Sequence, residues 1–191
     1  MCDEKLYLDK FIEALKDIKR IYCKKIIKEF EIQEKPIKNS LEYEVKYLKT
    51  TIGNINIPSK PGVYYFEVHF LKKTCKKTFI NKWGKHKYSP AANKENINIK
   101  ERKLINWVPF YIGKSKELKE RVTQHIKFPN CKTTYALRLS EKKDLLKTLN
   151  IDKIRIRYFE LDDFSNNDIY FMVEQFEREV RNKFKPIVGK Q

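Results

Sequence analysis

Acidic residues are scarce beside basic ones: 25 Asp and Glu face 42 Lys and Arg, a formal charge of +17 over 191 residues. That excess opposes compactness by self-repulsion unless a polyanion is the partner. Nucleic acid and anionic membrane are the candidates, and a lysine-rich solvated face is the bland alternative. Long apolar runs are missing as well. None approaches the roughly 18–20 residues of a membrane span. The opening Met1-Cys2-Asp3-Glu4 lacks the basic-then-apolar order of a secretory signal, and a cytoplasmic location is expected. Cysteine is sparse and scattered (Cys2, Cys23, Cys75, Cys131), with no CxxC pair, which argues against a disulfide framework. Cys75 with His69 or His86 matches no closed tetrahedral zinc pattern. No internal repeat, zinc-binding module or helix-turn-helix is evident. Aromatics, by contrast, are plentiful, with 12 Phe and 11 Tyr, enough for the core of one domain with an added arm.

Residues 4–31 carry Leu8, Phe11, Leu15, Ile18, Tyr22, Ile26 and Phe30 at helical spacing, stopped by Pro36. A basic amphipathic helix of this kind could meet membrane or DNA, but packing its stripe on the core is commoner. Residues 41–49 alternate as a short strand or linker, and 57–62 (IPSKPG) form a turn signal. The organisation expected is an N-terminal helical arm and linker over 1–57 and a single domain over 58–191. Within that domain Val63–Leu71 reads as a strand. Residues 72–104 read as a polar, partly ordered, basic insert in which Pro90, Asn93 and Asn96 break any period. A strand at Trp107–Ile112 follows, then a helix capped by Ser115 and running to about Lys127. A short helix over 142–149, a strand at Ile154–Phe159 and a last helix from about Asp168 to Phe184 complete the order. Asn166 or Asn167 is its expected cap and Pro186 its stop.

Gly62-Val63-Tyr64 opens the first of these strands and Tyr111-Ile112-Gly113 closes the second. Either tripeptide alone is ordinary strand core. In the next helix Arg121 and His125, four apart, share a face that Leu118 and Val122 set beside the buried stripe. A planar cation there could anchor a carboxylate or grip two phosphate oxygens. In the last helix Glu177 falls about 40° from Val173, inside the apolar stripe, while Glu174 lies at its edge near about 100°. A carboxylate in that stripe is costly unless paired or metal-bound. An ion pair, with Arg121 for example, and a metal site remain equal readings.

Taken in order, Gly62-Val63-Tyr64, Tyr111-Ile112-Gly113-Lys114-Ser115, Leu118-x-x-Arg121-x-x-x-His125 and Glu177-x-x-Val180 with Lys185-Pro186 resemble the GIY-YIG nuclease family. The likeness covers residues 62–71 and 106–191. It implies an α+β fold, a three-stranded antiparallel sheet flanked by helices. It also implies that Tyr64 and Tyr111 are the catalytic tyrosines, Arg121 the catalytic arginine and Glu177 the metal ligand. His125 falls where some restriction-type members carry a histidine. The chain departs from the pattern at Gly189, where many members have Asn, and in the long gap filled by the insert.

The activity implied is hydrolysis of a phosphodiester in double-stranded DNA by water, with Mg²⁺ or Mn²⁺ held by Glu177. Arg121 would stabilise charge on the phosphoryl oxygens. Tyr64 would deprotonate or position the water, with the metal or Lys114 as the cation that assists it. Tyr111 and His125 would orient water and phosphate or help move a proton. A stand-alone, sequence-specific restriction-type enzyme fits the compact arrangement best. Trp83 and Tyr88 in the insert would then contact DNA or simply pack. A palindromic target cut on both strands would call for a homodimer. The alternatives are a structure-specific repair nuclease and a nucleic-acid-binding module on the same scaffold without cleavage.

Overall fold

The computed structural model describes residues 2–32, 40–48, 55–84, 88–127, 135–162 and 170–189. The chain is α+β, with six α-helices and one antiparallel sheet among those residues. Strand β2 (Gly62–Phe70) lies inside that sheet, and all its residues except His69 are buried. Side chains alternate across a strand. Tyr64, Phe66, Val68 and Phe70 therefore enter one core, and Val63 and Tyr65 enter the other. Strand β3 (Asn106–Ser115) pairs with one side of β2 and β4 (Ile151–Glu160) with the other. Strand β1 (Ser40–Glu44) adds to the far side of β4, giving the order β1-β4-β2-β3.

One face of the sheet is covered by α1 (Cys2–Glu31), through Cys23, Ile26 and Phe30, and by α6 (Phe171–Phe184), through Met172, Val173, Phe176 and Val180. The other takes α2 (Lys76–Trp83), α4 (Leu118–Ile126) and α5 (Lys143–Thr148) through Phe79, Trp83, Leu118, Val122, Ile126 and Leu146. Under α1 the sheet buries a charged cluster. Glu67 receives Arg157 at 2.8 Å and lies 3.7 Å from Arg155, and all three are nearly inaccessible. Arg157 also donates to the carbonyls of Phe30 and Ile32 at 2.7 and 2.6 Å. It thus supplies partners for carbonyls that the end of α1 cannot bond internally.

The sheet has four strands where three were expected. The alternation at 41–44 continues the sheet edge, and Val45–Tyr47 then tightens into a 3-10 turn with Val45 buried. The segment 72–104 is no polar excursion. Its apolar residues Phe79, Trp83, Ile97 and Leu104 are all buried. Asn93, expected as a breaker, caps α3 (Lys94–Asn98) by accepting the Asn96 N–H at 3.0 Å. Trp83 stacks 6.1 Å from Phe79, meets Phe110 edge-on and donates its indole N–H to Pro90 O. It packs, and is not available to a base, whereas Tyr88 remains exposed. Ser115 ends β3 and binds the Glu117 N–H just ahead of α4, and Glu117 occupies the cap position. The expected caps Asn166 and Asn167, and His86, lie outside the described residues. His69 pairs with Asp152 at 2.6 Å, which leaves Cys75 without that partner for a metal. Among the described residues no helix is long and apolar enough to cross a membrane.

Beyond α6 the chain returns along β3. Ile187 and Val188 donate to Pro109 O and Phe110 O, while Asn93 and Gly189 donate to Ile187 O and Ala91 O. The insert and the C-terminal segment thereby cover the β3 edge, which would otherwise present unpaired backbone groups.

Candidate active site

Register brings the two motif tyrosines together. Tyr64 lies opposite Gly113, and Phe66 opposite Tyr111. The tyrosines are therefore diagonal neighbours on one face, with ring centroids 6.2 Å apart. Glycine at 113 is a steric requirement, since a Cβ there would stand 2.3 Å from Tyr64 Oη. Gly62 is equally constrained, because its Cβ would meet Phe159 O at 2.3 Å.

Behind Tyr64 lies His125, wholly buried on α4. Tyr64 Oη and His125 Nε2 are 2.8 Å apart, and His125 Nδ1 accepts the Leu137 backbone N–H at 3.0 Å. These contacts decide the tautomer. With Nδ1 accepting, a neutral ring carries its proton on Nε2 and donates to Tyr64. Burial, and secondarily Arg121, hold His125 well below the usual histidine range, so the ring stays neutral at pH 7. Tyr64 thus accepts from the interior and turns its own hydroxyl elsewhere. Its pKa is pushed well above 10 by burial and by Tyr111, with Arg121 opposing. Tyr111 is raised as well, chiefly by burial.

Both tyrosines border a cavity of about 380 Å³ beside β3, whose charged lining comprises Lys114, Arg121, Arg178 and Arg181 against Glu174 and Glu177. Four cations against two carboxylates suit an anionic ligand. Arg121 donates to Gln124 Oε1 and to Tyr135 O, each at 2.8 Å. Both acceptors are neutral, so the guanidinium is oriented without being neutralised. Glu177 lies 3.5 Å from Arg181, one helical turn along, with 14% of its side chain exposed. The expected alternative of a pair between Glu177 and Arg121 is not what forms. Lys114 is paired with Glu174 and lies over the Tyr170 ring. Arg121 opposes the rise of the Tyr64 pKa, while Lys114 is engaged by Glu174.

Tyr64, Tyr111, Lys114, Arg121 and Glu177 thus line one cavity, with His125 directly behind. Sequence reasoning missed Tyr135, whose carbonyl holds Arg121, the Leu137 amide and Arg178. It also missed Arg181, which the four-residue spacing from Glu177 could have flagged. Gly189, with φ +112°, packs against the Tyr111 ring where a Cβ would sit 3.2 Å away. Gly189 therefore borders this cavity. No protein-family model, curated protein or solved structure matches the chain.

Proposed function

We propose that the chain is a DNA endonuclease that hydrolyses phosphodiester bonds with Mg²⁺ or Mn²⁺, resembling GIY-YIG nucleases of the stand-alone restriction type. The observation that carries this reading is the Leu137–His125–Tyr64 hydrogen-bond chain, ending in a cavity shared with Arg121 and Glu177. A binding surface has no need of a buried histidine locked as a donor to a buried phenol. Such a donor does favour the phenolate over the phenol.

The donor set suits a hard cation. It offers carboxylate and phenol oxygens and no thiol, and both nitrogens of its histidine are engaged. Glu177 would hold the ion, with water and phosphate oxygens completing its shell. Once bound, the ion would neutralise phosphate charge and act as a Lewis acid. Arg121 stabilises charge on the phosphoryl oxygens as water adds to phosphorus and the opposite P–O bond breaks. Tyr64 positions that water and, once ionised, takes its proton, while His125 N–H stabilises the phenolate. Tyr111 restricts the space beside the phosphate. The departing alkoxide is protonated from solvent.

The test is incubation with a large unmodified DNA, in Mg²⁺ or in EDTA, beside Glu177→Ala. Discrete fragments that need the metal and vanish in the variant are expected. Binding without cutting by the wild-type chain would remove the enzymatic reading. Cutting confined to flaps or junctions would make it a structure-specific repair nuclease.

A further inference from the structure

The polar side of α6 continues past the tyrosine cavity. At about 100° per residue from Val173, Arg181, Arg178 and Asn182 fall near about 80°, 140° and 180°, off the stripe that meets the sheet. With Lys185, just beyond the helix end, they form one wall of a second groove of about 620 Å³. Arg178 and Arg181 border both this groove and the cavity, so the two meet at one pair of side chains. The opposite wall is Asn93, Glu95 and Asn96 of the insert. That wall is held in place. The Asn93 backbone N–H donates to Ile187 O and the Asn96 side-chain amide to Pro186 O, each at 2.9 Å. Among the described residues no apolar side chain lines the groove, which leaves no seat for an acyl chain or an apolar peptide anchor.

Three cations face one carboxylate there, the exposed Glu95. Arg178 and Lys185 are exposed, and among the described residues neither has a carboxylate partner. Lys185 has φ +48°, the left-handed position after a helix that glycine usually fills. Arg102 of the insert donates to its carbonyl and to that of Phe184, so the turn that presents this lysine is itself held. From Arg178 to Lys185 the helix advances about 10 Å at about 1.5 Å per residue. One DNA strand rises about 3.4 Å per phosphate, so the groove spans about three of them.

We propose that this groove is the track for one DNA strand as it leaves the cavity. Arg178 and Arg181 hold the first phosphate beyond the cleaved one, Lys185 holds one further along, and the Asn96 and Asn182 amides flank them. The inference rests on the reading of DNA as the substrate. Arg178 and Lys185 are positioning residues: contacts to phosphate fix the register of a strand without reading its bases. Their loss therefore weakens binding equally across sequences.

Fluorescence anisotropy of a labelled duplex in EDTA, where no cutting intervenes, tests it over about 50–200 mM salt. Arg178→Ala and Lys185→Gly should each reduce the slope of log affinity against log salt by about 0.9, and the double variant by about 1.8. Arg178→Lys should restore the slope. Lys185→Gly should not lower Tm, because glycine suits φ +48°, so its weaker binding is not a loss of fold. Lys183→Ala is the control. Lys183 lies about 140° round the same helix from Arg178 and pairs with Glu31 at 3.0 Å, so its slope should match wild type. A wild-type slope in the double variant, or an equal fall in Lys183→Ala, would overturn the track, and cleavage by the wild-type chain would still stand. A wild-type chain that binds no duplex even at about 50 mM salt would overturn the track and the nuclease reading together. The expected slopes without any metal-dependent cutting would support the track and remove the enzymatic reading alone.

Discussion

A single methyl group at position 113 should abolish most activity while leaving the fold in place. The added Cβ of Gly113→Ala would lie 2.3 Å from Tyr64 Oη and 2.5 Å from Cζ, where ordinary contact starts at 3.4 Å. The phenol must therefore retreat by about 1 Å, a misplacement that can cost about 10²-fold in rate. Little room is available for that retreat. Tyr64 is buried, edge-on to Phe66 and bonded to His125 at 2.8 Å, so the shift breaks the contact that orients its oxygen. Overpacking of this kind costs about 1–3 kcal/mol, against a gain of about 0.5–1 kcal/mol for replacing a strand glycine by alanine. The net expectation is a modestly lowered Tm with rate loss far out of proportion to it. Gly84→Ala is the control, because Gly84 has helical dihedrals, lies outside the cavity and would bring its Cβ only to 3.0 Å from Ile80 O, far from Tyr64. Single-turnover cleavage at saturating Mg²⁺ and thermal melts would be run on both. Wild-type cleavage by Gly113→Ala would refute the claim that the reaction uses Tyr64 where the β2–β3 register sets it.

Three further outcomes follow from buried charge. Arg157→Leu leaves Glu67 the 3.7 Å contact to Arg155 but removes its 2.8 Å partner and the donor to Phe30 O and Ile32 O, so urea melts should show about 3 kcal/mol lost. Part should return in Arg157→Leu/Glu67→Leu, and no recovery there would argue against the pairing. His125 resists protonation in the fold, whereas the unfolded chain takes up that proton below pH 6.5. Stability is thus complete above that value and falls as pH drops through it, by up to about 1.4 kcal/mol per pH unit. His125→Phe should lose this component of the slope, and identical slopes would mean the native ring is charged. Tyr64, held above 10, ionises only as pH rises. Cleavage by the wild-type enzyme should therefore climb about tenfold per pH unit from about 6 to 9. Tyr64→Phe should lose both rate and slope, and a flat wild-type profile would exclude the phenolate.

What could be read from the sequence is what each residue declares by its own spacing. The strands read at Val63–Leu71 and Trp107–Ile112 were legible as β-branched and aromatic runs, and the last helix, expected from about Asp168 and formed by Phe171–Phe184, by its period of 3.6. Four-residue spacing put Arg121 and His125 on one face, and the order of the motifs nominated the tyrosines. The insert was misread because lysines outnumber its buried residues. Phe79, Trp83, Ile97 and Leu104 are spread too thinly to make a period, and only tertiary contact reveals that they share one core. Glu177 was read inside the apolar stripe, where it is half-buried, and the partner weighed for it was Arg121, 56 positions away; Arg181, four away, was overlooked. The structure selects the local pair.

The tautomer of His125 was beyond sequence reasoning for a sharper reason. It is set by the amide of Leu137, and every residue except proline offers that same N–H. No side chain advertises it. A sequence can nominate a histidine beside a tyrosine, but the direction of proton donation between them depends on what stands behind the histidine. Here a main-chain donor behind Nδ1 forces Nε2 to be a donor in front. His125 therefore cannot serve as the base that takes the proton of Tyr64 while that contact holds, and its part in the proposed reaction reduces to holding and stabilising the phenol oxygen. Leu137→Ala keeps the amide and should leave activity near wild type once stability is corrected. Leu137→Pro deletes the N–H and frees the other tautomer, so a rate loss specific to proline, with Tm still above the assay temperature, is the expected signature. Equal losses in the two variants would mean that the Leu137 side chain, and not its amide, is what matters.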